Sequence, residues 1–414
     1  MADTGLNQTP RGSRLHIAIF GRRNAGKSSL INALTNQNIA IVSDVPGTTT
    51  DPVYKSMEIL PIGPVVIIDT AGIDDVGELG ALRMQKAYGV LAKTDLMLLV
   101  IDPSKRTDAY EEDVVKKARE NSVPVIAVVN KIDLYPQARA DQAGHALGLT
   151  VVPVSALTKE GIDALKLAII KAAPKDWMST TIVGDLISPA DTVVLVVPID
   201  LAAPKGRLIL PQVQTMRDIL DNDAMAYVVK ERELKAALNN LKNKPRLVVT
   251  DSQAFLKVAA DTPKDILMTS FSILFARQKG NLATLVEGVN AVEKLLPGDK
   301  VLVAEACTHH RVEDDIGTVK IPRWLTQHVG GDLNFTWASG MELPPNVGDY
   351  KLVVHCGACM INRKEMLHRI MVAGQAHVPI VNYGVLIAYV MGILKRALEP
   401  FPEALNVLNR DDER

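Results

Sequence analysis

The chain has 414 residues, too many for one compact core, so two or three domains are the first expectation. Hydrophobic residues make up 47% and charged residues 22%, an ordinary globular balance, and the formal net charge of -1 removes the main electrostatic argument for a nucleic-acid or membrane-surface partner. The polar residues 1–14 hold no apolar signal-peptide core, so the cytoplasm is the expected location, and the odd number of cysteines, 3, argues for reduced thiols over a disulfide framework.

Residues 15–20 read as a strand, and a helical pattern at 27–34 follows a short glycine-bearing loop, which is how a parallel α/β sheet begins. Strands recur at 65–69, 96–102, 123–130 and 150–154, with helical stretches such as 110–120 between them. The helix 161–173 ends at Pro174. A second unit begins near Ile182, with strands at 192–198, 226–229 and 246–250 and helices at 210–220 and 231–241. It carries no cysteine, no histidine and no glycine-rich phosphate loop, and reads as scaffold or interface. From about Pro263 a third α/β unit has strands at 266–269, 300–305, 333–336, 351–355 and 378–382, and helices at 281–295, 364–373 and 385–398. The uncharged apolar stretch 385–394 is about half the ~20 residues that cross a bilayer and reads as a buried helix. No internal repeat is visible.

The segment Gly21-Arg22-Arg23-Asn24-Ala25-Gly26-Lys27-Ser28 fits the phosphate-loop pattern between a predicted strand and a predicted helix. Gly21 and Gly26 let backbone N–H groups, with those of Ala25 and Ser29, close around phosphates; Lys27 reaches the β and γ phosphates and Ser28 ligates Mg2+. Guanine is selected by Asn130-Lys131-Ile132-Asp133: the Asp133 carboxylate accepts from N1–H and the 2-amino group, which adenine lacks, while Asn130 and Lys131 brace the loop and stack along the base. Ser155-Ala156-Leu157, at the end of the next strand, offers a backbone N–H to the guanine oxygen. Asp69-Thr70-Ala71-Gly72 ends a strand, so Asp69 can hold the magnesium shell through water and Gly72 can bond the γ-phosphate. Thr49 is the expected second magnesium ligand, with Thr48 and Thr50 as alternatives. Losing the γ-phosphate would free both loops.

With these boxes the segment resembles the cation-dependent GTPases of the Era and tRNA-modification type, through Gly21 to Leu30 and Asp69-Thr70-Ala71-Gly72-Ile73. The resemblance places Ile73 where Ras-like proteins keep a water-orienting glutamine, and implies that K+, held partly by Asn24, assists hydrolysis together with Lys27, Thr49 and Gly72.

Every cysteine belongs to one further set, Cys307-Thr308-His309 and His355-Cys356-Gly357-Ala358-Cys359, beyond the carboxyl ends of two predicted strands. In open α/β sheets that edge binds ligands. Three thiolates with histidines suit zinc or an iron–sulfur cluster, and spacing alone slightly favours zinc. A cubane has four irons, so one iron would take another ligand; His309 ranks before His355, while His310, His328, His368 and His377 read as ordinary polar residues.

Combined, the GTPase boxes and the cysteine spacing resemble the HydF family of FeFe-hydrogenase maturation GTPases along nearly the whole chain. The resemblance implies an α/β protein with a leader (1–14), a P-loop GTPase domain (15–175), a central dimerisation domain (180–262) and a 4Fe–4S cluster domain (263–414). It also implies a homodimeric scaffold that receives a di-iron precursor from radical-SAM maturases and passes it to apo-FeFe-hydrogenase. The competing reading is a potassium-dependent RNA-modification or ribosome-assembly GTPase with a zinc-binding tail. Neutral charge and the lack of a basic aromatic stripe stand against it.

Overall fold

The computed structural model describes residues 9–35, 52–60, 62–70, 78–105, 108–135, 147–174, 181–198, 208–306, 315–340 and 343–412. The chain divides into two compact units, one of Ser13–Ser179 and one of Met1–Gly12 with Thr180–Arg414.

The first unit is built on a six-stranded sheet in the order β2-β3-β1-β4-β5-β6. Its strands are β1 (Leu15–Gly21), β2 (Val53–Ile59), β3 (Gly63–Asp69), β4 (Leu96–Ile101), β5 (Val125–Val129) and β6 (Thr150–Pro153). All neighbours are parallel except β2, which runs antiparallel to β3 at one edge. Successive side chains of a strand point to opposite faces, so β1 feeds two cores. Leu15, Ile17 and Ile19 pack with Leu30 and Ile31 of helix Lys27–Thr35 and Leu165 and Ile169 of helix Ile162–Ala172. Ala18 and Phe20 pack with Val90 of helix Glu78–Leu91 and Val114 of helix Ala109–Glu120. Burying β1 on both faces fixes its register and the start of the loop that follows. β2, exposed or half-exposed up to its buried last residue Ile59 and carrying Lys55, Ser56 and Glu58, has no counterpart in the sequence reading.

The second unit contains two four-stranded sheets that share one continuous core. The first has the order β10-β9-β7-β8, from β7 (Thr192–Val196), β8 (Met225–Val229), β9 (Leu247–Thr250) and β10 (Leu267–Ser270). The second has the order β12-β11-β13-β14, from β11 (Lys300–Glu305), β12 (Asn334–Ser339), β13 (Leu352–His355) and β14 (Ile380–Asn382). Both are wholly parallel. In each, the first strand has the second on one flank and the third and fourth on the other, so the two sheets repeat one topology, a repeat the sequence does not display.

Three sequence expectations change. The strand at 266–269, read as opening the third unit, is the edge of the first of these sheets, where Leu267 pairs with Leu247. The helix expected over 281–295 divides into Leu282–Glu287 and a 3-10 segment Gly288–Lys294, and at the break Gly288 lies so near the carbonyl of Ile380 in β14 that a Cβ there would collide with it. The helix expected over 385–398 becomes Tyr383–Val390 and Leu394–Leu398, with Gly392 between them at a φ of +72°, a left-handed conformation that ends a helix. Residues 383–388 of the former are buried, as an apolar stretch too short for a membrane should be. Among the described residues no helix is long and apolar enough to cross a membrane.

Candidate nucleotide site and cysteine crevice

β1 delivers the phosphate loop at the carboxyl edge of its sheet, at the point where the strand order reverses between β1 and β4. Gly21 lies so close to the carbonyl of Val100 that a Cβ would collide with it, and Gly26, at a φ of +90°, leaves no room for one beside the Asn130 amide. Asn24 is exposed and also left-handed, with a φ of 63°. The loop closes with Ala25 N donating to Arg22 O at 3.3 Å and Leu30 N to Gly26 O at 2.9 Å. Lys27 Nζ donates to the carbonyls of Gly21 and Arg22 at 2.8 and 2.9 Å, which holds the ammonium over the cradle. Arg22 is drawn away: it forks onto Glu111 at 2.6 and 2.9 Å and reaches Asp108 at 2.6 Å, at the start of helix Ala109–Glu120. That pairing fixes the outer wall of the loop.

Asn130 ties three segments together. It is buried, its Nδ2 donates to Ala25 O at 3.0 Å, and its Oδ1 accepts from Ala156 N at 3.0 Å. Each bond is worth about 1 kcal/mol net, and losing one strands a buried amide at a cost of about 1–3 kcal/mol. Lys131 Nζ donates to Asn24 O at 2.8 Å and to Asp102 at 2.6 Å. Burial works to raise the Asp102 carboxyl, but the hydrogen bonds from Lys131 and Ser104 outweigh it and hold it below the usual range. Ser155 is buried and its Oγ accepts from Thr158 N at 3.1 Å, shaping the turn that presents Ala156. Asp133 stands exposed at the rim, where a base could reach it. Asp69, at the end of β3, is lifted above the usual carboxylate range by burial, against the pull of Lys27 and Lys55. A cation beside it would reverse that lift. Ser28 and Ser29 open the helix Lys27–Thr35 next to this carboxylate's neighbour Lys27. Thr49, Gly72 and Ile73 lie outside the described residues, as do Thr48 and Thr50.

The cysteine crevice lies at the carboxyl edge of the last sheet, between β11 and β13, again where the strand order reverses. Cys356 comes directly after β13; its Sγ accepts a hydrogen bond from Ala306 N, the residue after β11, at 3.2 Å. Burial pushes the Cys356 thiol up, and the N–H groups of Ala306 and Ala358 oppose it. Ala358, at a φ of 55°, turns the chain between the two thiols so that Ile361 N can donate back to its carbonyl at 3.3 Å. Cys359 is half-buried. Sequence reasoning missed Arg369, which is 2% exposed and donates to His355 Nε2 at 2.9 Å and Gly340 O at 2.5 Å. Its Nε has no partner among the described residues. His355 donates from Nδ1 to Cys356 O at 2.8 Å, so both ring nitrogens are engaged and neither offers a lone pair to a metal. Burial, then the Arg369 charge, push its pKa down to about 3 and keep the ring neutral. Cys307 and His309 lie outside the described residues, and among the described residues no three His, Cys, Asp or Glu side chains gather as a metal site.

Two family models match the second unit: the hydrogen maturase F dimerization domain over residues 182–280 and the hydrogen maturase F tetramerization domain over residues 283–400. The chain belongs to the hydrogen maturase F family. Residues 16–131 match a third model, described as a 50S ribosome-binding GTPase, so the HydF architecture is completed by a GTPase domain. The tRNA modification GTPase MnmE of Chromobacterium violaceum is 37% identical over 162 residues, 38% of this chain and 34% of that protein. Its namesake from Synechocystis sp. is 33% identical over 257 residues, 60% of this chain and 52% of that protein. The chain thus spans between about a third and a half of the length of these relatives. A crystal structure of Era with MgGDPNP and a piece of 16S ribosomal RNA covers 52% of this chain and 93% of its own, at 22% identity and a TM-score of 0.35. The two family models divide the HydF part between the two repeated sheets: β7 to β10 fall in the first and β11 to β14 in the second.

Proposed function

We propose that the chain is a GTP-hydrolysing scaffold that binds a 4Fe–4S cluster and carries the di-iron precursor of the FeFe-hydrogenase active site. The observation that carries this reading is the bond from Ala306 N to Cys356 Sγ, which joins the two strand ends that bear the thiols in a chain of the HydF family. An N–H donor aimed at sulfur suits a thiolate ligand, and a crevice at a strand-order reversal suits a bound group, so the described residues fit a cluster. Cys307, Cys356 and Cys359 would hold it, with His309 as the candidate fourth ligand, since the nitrogens of His355 are engaged. When bound, such a cluster supplies an iron with a replaceable ligand, to which a di-iron unit can attach. The protein's own part is to orient the thiolates: Arg369 fixes His355, and His355 fixes the carbonyl of Cys356.

In the GTPase domain, the Gly26 cradle and Lys27 would take the phosphates, Ser28, Thr49 and the water shell of Asp69 would take Mg2+, and Asn24 would share a K+ ion. Asp133 would read guanine, with Ala156 N on the base oxygen. The family models support an oligomer, and we assign a homodimer formed through the central sheet, in the cytoplasm, with radical-SAM maturases and apo-FeFe-hydrogenase as partners. The RNA-directed alternative loses ground because the chain's net charge of -1 offers little counterion release.

Anaerobic purification followed by iron and sulfide analysis with electron paramagnetic resonance tests the cluster; colourless, zinc-containing protein would favour the alternative. GTP hydrolysis should run faster in K+ than in Na+, and Asn24→Ala should erase the difference. Equal parent rates in the two salts would remove the potassium assignment.

A further inference from the structure

Asn24 and Lys131 both hold a left-handed backbone, at φ of 63° and 64°. A residue with a Cβ is strained there, and such strain persists only where the surroundings over-determine it. The two strained residues are joined to each other, since Lys131 Nζ donates to Asn24 O at 2.8 Å. The same ammonium donates to Asp102 Oδ2 at 2.6 Å.

Asp102 comes directly after β4 and is aimed by its own turn. Its Oδ1 accepts from N and Oγ of Ser104 at 3.0 and 2.6 Å, which leaves Oδ2 for Lys131. At the far end of the same connection, in the first turn of helix Ala109–Glu120, the buried Glu111 is aimed in the same way. Its Oε2 accepts from Asp108 N at 3.0 Å, and its two oxygens take the fork of Arg22. The phosphate loop is thus gripped at residue 22 from one end of the connection and at residue 24, through Lys131, from the other. Only Arg23 lies between the two grips. The phosphate cradle itself closes on other bonds, from Lys27 Nζ to Gly21 O and Arg22 O and from Leu30 N to Gly26 O. The grip on Asn24 can therefore loosen while the cradle keeps its shape.

We propose that Asp102 is a positioning residue for the assisting cation: through Lys131 it holds the strained backbone of Asn24, so that the Asn24 side chain can share a K+ ion with the phosphates. The inference rests on the reading of this unit as a K+-assisted GTPase. It adds a residue that touches neither nucleotide nor ion.

The test is a K+ titration of GTP hydrolysis by the full-length chain, with ionic strength held constant by choline chloride. Asp102→Asn keeps the shape of the side chain but removes the charge that fixes Lys131 between the two loops. A ground-state site for the ion is then weakened and the cradle is not. Half-saturating K+ should rise about fivefold or more, while the rate at saturating K+ and the affinity for fluorescent GDP stay within about threefold of the parent. Ser104→Ala, at an exposed position, leaves the charge but removes one bond that aims it, and should raise half-saturating K+ by about twofold. An unmoved half-saturation in Asp102→Asn overturns the inference, and so does a lower maximal rate with the K+ dependence unchanged. Should Asp102→Asn fail to bind GDP, Ser104→Ala decides, and no shift there overturns the inference. A parent stimulated by K+ with both variants unmoved removes the inference alone, whereas a parent equally fast in K+ and in choline removes the potassium reading with it.

Discussion

The sheets β8-β7-β9-β10 and β12-β11-β13-β14 have one topology and even share small devices at their carboxyl edge. In both, the third strand ends on a fully buried polar residue whose side chain donates to the next carbonyl: Thr250 Oγ1 to Asp251 O at 3.3 Å, and His355 Nδ1 to Cys356 O at 2.8 Å. The fourth strand of each ends on a helix cap, Ser270 accepting from Ile273 N and Asn382 from Val385 N. The two edges part ways one residue beyond the third strand. Asp251 folds back to cap its own turn at Gln253 N, so that edge satisfies itself. Cys356 instead accepts from Ala306 across the crevice, and a buried guanidinium, Arg369, supports the histidine behind it. The fold supplies a crevice twice, and a few side chains decide which crevice has chemistry to offer.

The largest expected effect breaks that asymmetry directly. Cys356→Ser should lower the iron bound per chain by about tenfold or more, because a serine hydroxyl is a poor substitute for a thiolate on iron, while GTP hydrolysis stays within about twofold. Ser252→Ala, at the matching edge of the central sheet, should leave iron content unchanged. Iron analysis of both variants decides it: a full complement in Cys356→Ser removes the ligand assignment.

Much of the GTPase site is legible in the sequence because phosphate chemistry demands particular residue types at fixed spacing: glycines where backbone must close in, a lysine at the turn into a helix. The cysteines stand out for a similar reason, as thiols beside strand ends, and their role as ligands belongs to the proposed function. The repeat of topology is not legible, since parallel strands buried on both faces read alike as apolar runs and do not state which sheet they join; hence the strand Leu267–Ser270 reads as part of the wrong unit. Arg369 reads as one more polar residue on a helix until the fold buries it behind His355. Lys279 donates to Gly12 O across 267 residues, and nothing local marks either as a contact.

A second effect separates the two sheets at their outer edges. β8 and β12 both end their sheets, and both expose apolar side chains: Met225, Tyr227 and Val228 on β8, and Trp337 on β12. An exposed apolar edge strand is a template for pairing with another chain. If the proposed homodimer forms through the central sheet, Val228→Lys should weaken it by about tenfold or more, and Trp337→Lys should leave it intact while reducing any larger assembly. Sedimentation at several protein concentrations reads both, and a dimer equally weakened by either substitution would show that the two edges do not have separate roles.

The smallest effect weighs the two buried strand ends against each other. Thr250→Ala removes one hydrogen bond of 3.3 Å, and Asp251 O keeps its bond from Ala254 N at 3.0 Å, so the expected loss of stability is under about 1 kcal/mol. His355→Ala removes a 2.8 Å bond to Cys356 O and also strips Arg369 Nη1 of its acceptor in a region with no solvent access. Among the described residues the Arg369 Nε–H has no partner, and its bonds to Gly340 O and Glu365, at 2.5 and 3.4 Å, are made by Nη2 and not by Nη1. A buried charge losing a partner costs about 1–3 kcal/mol or more, so His355→Ala should be the more destabilising substitution although both sites are fully buried. His355→Gln, whose amide oxygen can accept from Arg369, should recover part of that loss. Urea midpoints of the iron-free protein measure all three. Equal costs for Thr250→Ala and His355→Ala, with no recovery in His355→Gln, would show that Arg369 does not depend on His355 and that the cysteine crevice is no more specialised behind its strand end than its twin.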